Sequence, residues 1–362
     1  MSDQGFPIIE YRRGDSPREW GRAHGESFRE GIHELFEIRL SLMQAKNPSL
    51  NSDSIERLAM EQWDATEQLD ADLADELQGI SEGSGLSPAQ IVVVNNYTDF
   101  RDIQLPDEGC SSVFVDTGSG PIAGQTWDMH GSAKRYVCCI TLPGEEADLE
   151  SIVFSIVGCV GMMGYSARGQ MIGVNNINTD KAQPGTVWPA LVRKTLAAPD
   201  HHEMVQCLTT AKVTSGHNYL VASHSKGASR AEMWEVMPGL AETAEYFQGE
   251  EHSRLFHTNH CLGPKSVQRE TKGSLNSSTH IRYELIEKKI GGVNTFDEVY
   301  ALLNDHENYP QSICSNHQTS DQDPAVTCGG AVGDLASGRV TMWRGDELHD
   351  ENFVRHEFQL PR

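Results

Sequence analysis

The chain has no paired C-x-x-C spacing, no G-x-G-x-x-G turn, no apolar run near bilayer length and a marked shortage of basic side chains. Each shortage closes off a class of protein. Twenty-nine Lys and Arg stand against 52 Asp and Glu, a formal charge of −23, so no broad basic face is available for nucleic acid. Without the roughly 18 to 20 consecutive apolar residues of a membrane span, and without an apolar signal-peptide core in "MSDQGFPIIEYRRGDSPREWG", a soluble cytoplasmic protein with no membrane partner is expected. The eight cysteines lack both zinc-ribbon spacing and the density of a disulfide scaffold, which predicts reduced and mostly buried thiols. No internal repeat or low-complexity linker divides the 362 residues, and 38% hydrophobic content suffices for a large core.

The organisation changes near residue 110. Before it lie helical patterns: a Ser-Pro start and an amphipathic run in "SPREWGRAHGESFREGIHELFEIRLSLMQA", a second helix in "SDSIERLAMEQWDATEQLDADLADELQGISEGSG" and a third in "SPAQIVVVNNYTDF". The first 109 residues carry 9 basic and 22 acidic side chains, so the helical part is also the more acidic. After it come short strands separated by Gly, Asp and Ser turns, among them "SSVFVDT", "PIAGQTWD", "YVCCITL", "MIGVNNIN", "NYLVASH" and "RLFHTNH". Helix pairs interrupt these strands near "TVWPALVRKTLAA" and "DHHEMVQCLTTA", and again near "SSTHIRYELIEKKIGG" and "TFDEVYALLND". Strand runs and helix pairs without a βαβ rhythm predict a layered α+β fold.

Cys110 stands where the pattern switches, after Gly109 and at the head of a strand. Were the Gly109–Cys110 bond cut, Cys110 would own both a thiol and a free α-amine, whose ordinary pKa of about 7.7 to 8.0 suits a general base near neutral pH. Glycine at 109 would leave the carbonyl open to attack by the Cys110 sulfur and tolerate strained φ/ψ values. From these residues alone a buried, inert cysteine is the competing reading.

The order and spacing of several stretches resemble the acyl-coenzyme A:6-aminopenicillanic acid (isopenicillin N) acyltransferase family of self-processing N-terminal nucleophile (Ntn) hydrolases. They are "GRAHG", "LADELQGISEGSGLSPAQIVVVNNYTDF", "EGCSSV", "GQTWD", "GMMGYSARGQMIGVNNIN", "HTNHC" and "ENYPQSIC". The resemblance implies a four-layer αββα sandwich with two antiparallel sheets, autocleavage between Gly109 and Cys110, and one structural domain made of a helical segment, 1–109, and a catalytic segment, 110–362. It implies Cys110 as nucleophile, Asn259 as oxyanion donor and Asp128 as an acid that orients polar groups around the new amine. Where penicillin-forming members have a serine and an arginine, this chain has Met237 and Ser315. The β-lactam and coenzyme A specificities are therefore not carried over.

The expected activity is an amidohydrolase or acyltransferase acting on a small N-acyl compound through an acyl-cysteine intermediate. The alternatives are acyl-coenzyme A-dependent transfer and a non-processing binding or scaffold protein. No cofactor or metal is expected; the partners are the small substrate and the chain's own cleaved segment, with a homo-oligomer left open. Asn175, Asn176 and Arg168 are candidate pocket residues, turn chemistry being the other reading of the asparagines and a solvated charge that of Arg168. His257, His260 and Cys261 of "HTNHC" carry metal-binding side chains, but on a strand alternate residues face opposite ways. "GYSARGQ" has Arg168 where a serine-hydrolase elbow needs glycine, and Gly164 and Gly169 suit a hairpin turn instead.

Overall fold

The computed structural model describes residues 6–46, 48, 50–100, 109–118, 120–145, 149–180, 182–248, 253–271, 278–316 and 323–362. The helical segment opens with α1 (Pro17–Ser27), whose N-terminus is closed by a reciprocal Ser16–Glu19 capping box with proline in the first turn. It continues through α2 (Arg29–Lys46), α3 (Ser52–Leu69), α4 (Ala71–Ser84) and α5 (Pro88–Asn96). The sequence pattern predicts one helix where α1 and α2 lie and one where α3 and α4 lie. Both are broken by a single residue. Phe28 leaves helical geometry at φ −121°, and Asp70 turns extended so that its carboxylate can cap the amides of Asp72 and Leu73. Amphipathic periodicity is continuous across such a break, so it cannot reveal it.

The motif "GRAHG" is explained by packing. An added Cβ on Gly21 or Gly25 would lie 1.9 Å from the Glu76 carbonyl oxygen or 2.5 Å from that of Ile80, and Gly79 and Gly83 of α4 face the Arg18 and Arg22 carbonyls as closely. Helices α1 and α4 therefore touch backbone to backbone through two glycines each, an approach no larger residue permits.

Two sheets follow. The first has eight strands in the order β1 (Ile8–Glu10), β4 (Val137–Leu142), β5 (Ser151–Ile156), β6 (Met163–Ser166), β7 (Gln170–Ile177), β8 (Gly216–Ser225), β9 (Ala228–Met237) and β10 (Leu240–Gln248). The second has six, in the order β11 (Arg254–His257), β2 (Cys110–Asp116), β3 (Pro121–His130), β12 (Ala325–Asp334), β13 (Arg339–Arg344) and β14 (Val354–Gln359). All neighbours are antiparallel except β1 and β4, whose parallel pairing ties the residues before α1 to the first sheet.

The sheets pack face to face through β2, β3 and β7. Helices α6 (Trp188–Ala197) and α7 (His201–Thr210) cover the outer face of the first, while α8 (Thr279–Ile290) and α9 (Phe296–Leu303) cover the second. The result is the expected αββα sandwich. Strand alternation decides which side chains meet. Val113 and Val115 of β2 join Leu285, Ile286, Val299 and Leu303 under the second helix pair, whereas Ser112 and Phe114 face the first sheet.

Helices α1–α5 dock through buried polar links as well as apolar contact. Glu76 pairs with Arg193 of α6 through two bonds of 3.1 and 3.2 Å and accepts from Tyr11 at 2.8 Å. Asn95 donates to the Gly158 carbonyl and accepts from the Val160 amide, and His24 Nε2 accepts from the Gly158 amide at 2.9 Å. Among the described residues, no helix is long and apolar enough to cross a membrane.

Candidate active site

Cys110 is the first residue of β2, paired with Trp127 of β3 and 6% exposed. Alternation along β2 turns its side chain towards the first sheet, on the same face as Ser112, whose hydroxyl donates to Asn175 Oδ1 across the sandwich at 2.8 Å. Its backbone is fixed at both ends. The nitrogen donates to Asn259 Oδ1 at 2.8 Å, and the carbonyl oxygen accepts from Arg282 Nη1 at 2.8 Å.

Arg282, fully buried on α8, is the hub. Its Nη1 also reaches Ser111 Oγ at 3.0 Å, its Nη2 donates to Asn259 Oδ1 at 2.9 Å, and its Nε donates to Ser278 Oγ at 3.0 Å. The planar fork thus orients the nucleophile residue and the asparagine together, which a lysine could not do. Sequence reading missed it, although a signal existed: Arg282 lies three and four residues before Leu285 and Ile286, on the apolar stripe of an amphipathic helix.

Asn259 sits in the turn after β11, and that turn is held by carboxylates. Glu235 accepts from His257 Nε2 at 3.0 Å and from the amides of Leu262 and Gly263. Glu242 accepts from the amides of Lys265 and Ser266, and Glu270 from that of Cys261. Burial works to raise the Glu235 carboxyl, but the His257 hydrogen bond and charge, with the amide donors, hold it below its ordinary value. Asn259's own amide nitrogen donates to Thr279 Oγ1 at 2.8 Å, and its side-chain Nδ2 donates to the Asn176 carbonyl at 2.9 Å. Next to it, His260 is pushed down to about 3 by burial and by the neighbouring His280, His257 and Arg282.

Asp128 is fully buried on β3. Its backbone amide donates to the Gly109 carbonyl at 2.7 Å, and its carboxylate accepts from Thr327 at 2.7 Å and Ser315 at 3.1 Å. Burial pushes its carboxyl up to about 6, against the opposing pull of Arg282 and the two hydroxyls. Gly109 is confined by the same group: an added Cβ would stand 2.3 Å from Asp128 Oδ2 and 3.0 Å from Arg282 Nη2. Any side chain here would force the Asp128 carboxylate or the backbone to shift.

The candidate pocket residues separate. Asn175 is buried between the sheets, its Oδ1 accepting from Ser112 and Asn218, and half-buried Asn176 offers its carbonyl to Asn259. Arg168 lies apart from the asparagines. It lies in the turn between β6 and β7, 44% exposed and 2.6 Å from Glu150, while Asn176 is six residues further along β7 from Gln170, about 20 Å away at strand rise. The turn it occupies is closed by Gly169 at φ +78°, but Gly164 belongs to β6, where an added Cβ would strike Ile152, Val153 and Leu196.

The residues of "HTNHC" form no metal centre. His257 spends its ring nitrogens on Glu235 and the Thr258 carbonyl, and Cys261 packs with Ile177 and Met237. Met237, where the resemblance places a serine in penicillin-forming members, is thus a core side chain. None of the eight cysteines is in a disulfide, and every one except half-buried Cys207 is buried.

A family model for acyl-coenzyme A:6-aminopenicillanic acid acyl-transferases matches residues 115–347. The chain belongs to this family. It is 24% identical over 355 residues to the acyl-coenzyme A:6-aminopenicillanic-acid-acyltransferase 40 kDa form of Emericella nidulans, covering 94% of this chain and 93% of that one. Among solved structures it is similar to a Caenorhabditis elegans N-acylethanolamine-hydrolyzing acid amidase ortholog, with TM-score 0.43 and 11% identity over 62% of this chain and 93% of that one. It is also similar to a penicillin V acylase from Agrobacterium tumefaciens, with TM-score 0.34 and 12% identity over 69% and 86%. Family membership makes the chain an enzyme of the acyltransferase type.

Proposed function

We propose that the chain is a self-processing cysteine amidohydrolase that releases the acyl group of a small N-acyl compound. One observation carries this reading: Cys110 begins a strand with its nitrogen on Asn259, its carbonyl on Arg282 and the preceding Gly109 carbonyl on the Asp128 amide. Two of these three bonds come from side chains of distant elements and not from the β2–β3 ladder, which a merely buried cysteine would not need.

In maturation the Cys110 sulfur attacks the Gly109 carbonyl carbon. Oxygen takes negative charge while held by the Asp128 N–H, the thiol proton passes to the Cys110 nitrogen, the C–N bond breaks, and that nitrogen leaves as a free amine with Gly109 joined to the sulfur as a thioester. Water then hydrolyses the thioester to a Gly109 carboxylate and a free Cys110 thiol. In turnover the α-amine takes the thiol proton as sulfur attacks the substrate amide, and returns it to the departing amine. Asn259 donates one amide proton to Asn176; its second is the donor we assign to the substrate oxyanion. Water finally cleaves the acyl-Cys110 thioester.

Hydrolysis is favoured over transfer because Met237 and Ser315 replace the residues that accompany penicillin formation, and Ser315 is committed to Asp128. After cleavage the helical segment remains the catalytic segment's partner through the Glu76–Arg193 and Asn95 links.

Intact masses of the wild type and of Cys110→Ala test the reading. Two fragments breaking at Gly109–Cys110 in the wild type alone, copurifying without denaturant and freeing acid from N-acyl compounds without an added acceptor, are expected. A wild-type chain that stays whole overturns it, and strict dependence on an amine or coenzyme A acceptor replaces hydrolysis by transfer.

A further inference from the structure

We propose that His306, Cys314, Asp346 and His349 form a binding site for a divalent cation of the zinc class, separate from Cys110. Ligand atoms of His306, Cys314 and Asp346 all lie within 4.8 Å of one another, the sole such group among the described residues. His306 Nε2 is 2.9 Å from Asp346 Oδ1, and His349 Nδ1 is 2.9 Å from Asp346 Oδ2. Bonds of 2.0 to 2.3 Å to a tetrahedral cation place donor atoms roughly 3.3 to 3.7 Å apart, so side-chain movements of about 1 Å would bring His306, Cys314 and Asp346 to bonding distance, and His349, held on Asp346 at 2.9 Å, would swing in from the rim as the fourth ligand. Two imidazoles, a thiol and a carboxylate suit a borderline-soft cation; magnesium and calcium prefer oxygen alone.

The surroundings are those of a built site. Cys314 is fully buried, while His306 and Asp346 are 15% and 14% exposed and His349, at 44%, forms the open rim. Two separate stretches converge: the 304–316 segment after α9 and the connection from β13 to β14. They are tied together by contacts other than the ligand atoms. Cys314 N donates to the Asp305 carbonyl, Gly345 N donates to the Cys328 carbonyl, and the Tyr309 ring stacks on His349 at 4.6 Å.

Binding is balanced by proton loss. Burial, together with the carboxylates of Asp346 and Asp128, holds the Cys314 thiol protonated. The cation takes its place, sulfur keeps the bonding pair, and one proton leaves to solvent; His306 presents Nε2 by carrying its ring proton on Nδ1. The next residue, Ser315, donates to Asp128 at 3.1 Å, so an occupied site would fix the segment that holds the acid beside Gly109. Sequence reading expected no metal because these ligands, spaced H-x7-C and D-x2-H and 32 residues apart at their nearest, carry no familiar signature.

Titrating full-length Cys110→Ala protein with cobalt(II) chloride tests the proposal free of the nucleophilic thiol. A thiolate-to-cobalt charge-transfer band that saturates at one ion per chain is expected, lost in Cys314→Ser and weakened at least about tenfold in affinity by His349→Ala at the solvent rim. No band, or a band of equal strength and affinity in both variants, overturns it. Because His349 is exposed, its variant reads the site even if the buried Cys314 substitution unfolds.

Discussion

Arg282 Nη1 donates to the Cys110 carbonyl oxygen at 2.8 Å from a residue 172 positions later in the chain. The bond joins α8 to the first residue of β2 from the outer side, while the Cys110 side chain faces the opposite sheet. A guanidinium there cannot touch the thiol's substrate side; it sets where the thiol stands. With Nη2 on Asn259 Oδ1, one side chain sets the distance between attacking sulfur and oxyanion donor.

Arg282→Lys should therefore leave the chain folded and slow both maturation and turnover. A point ammonium cannot hold Cys110 and Asn259 simultaneously, and each charge-assisted bond lost is worth about 1.5 to 3 kcal/mol, or roughly 10- to 150-fold. Time-resolved intact mass and kcat on the matured fraction measure the two effects. Unchanged rates in both would remove Arg282 from the machinery.

Gly109→Ala should block processing by a different route. Its Cβ would stand 2.3 Å from Asp128 Oδ2, so the residue, its carbonyl or the carboxylate must shift, and the 2.7 Å bond from the Asp128 amide to the Gly109 oxygen goes with it. Cleavage at least 100-fold slower is expected, since the loss of one oxyanion donor typically costs about 10²- to 10³-fold. The full-length band on a denaturing gel over days reports it, and processing at the wild-type rate would show that the close contact does not matter.

The layers of this fold were legible because strand alternation and amphipathic periodicity survive in the string itself: β2, β3, β7 and the two helix pairs all fall where the pattern puts them. Breaks at Phe28 and Asp70, and the three-residue edge strand β1, were not, because one capping residue or three paired residues leave no period to detect. The candidate site divides in the same way. Cys110, Asp128 and Asn259 stand in recognisable stretches, and the structure brings their backbones and side chains together. Arg282, Thr327 and the carboxylates under the 258–266 turn act only through positions far away in sequence, so no local pattern marks them. Arg168 shows the converse case, a polar residue near a motif that lies in the turn at the other end of the strand.

The acid limb of kcat/KM should fall near the Asp128 pKa of about 6 if its carboxylate must be ionised to orient the groups around Gly109 and Cys110. Thr327→Val removes a 2.7 Å hydrogen bond to the charged form, so it should move that limb upward by about one unit. Ser315→Ala should move it in the same direction. An upward shift identifies the group, whereas an unmoved limb in both variants would assign it elsewhere.

His24 makes stability, as opposed to activity, depend on pH. It is fully buried, its Nε2 accepts from the Gly158 amide, and burial followed by the nearby Arg193 pushes it down to about 3. The unfolded histidine titrates near 6.5, so below that pH the unfolded chain binds a proton that the folded one does not. Its contribution is complete above pH 6.5 and is lost as pH falls towards 3, at about 1.4 kcal/mol per unit. Between pH 7 and pH 5 this amounts to about 2 kcal/mol from one residue. Urea denaturation of the unprocessed Cys110→Ala chain, with and without His24→Gln, isolates it. The glutamine variant should be less stable at pH 7, with a pH 7 to pH 5 loss about 2 kcal/mol smaller than its parent's. Because His24 bridges α1 to Gly158 of the catalytic segment, the same protonation should loosen the two fragments of the matured enzyme in acid, and equal acid sensitivity in the two chains would show that the imidazole is not held neutral.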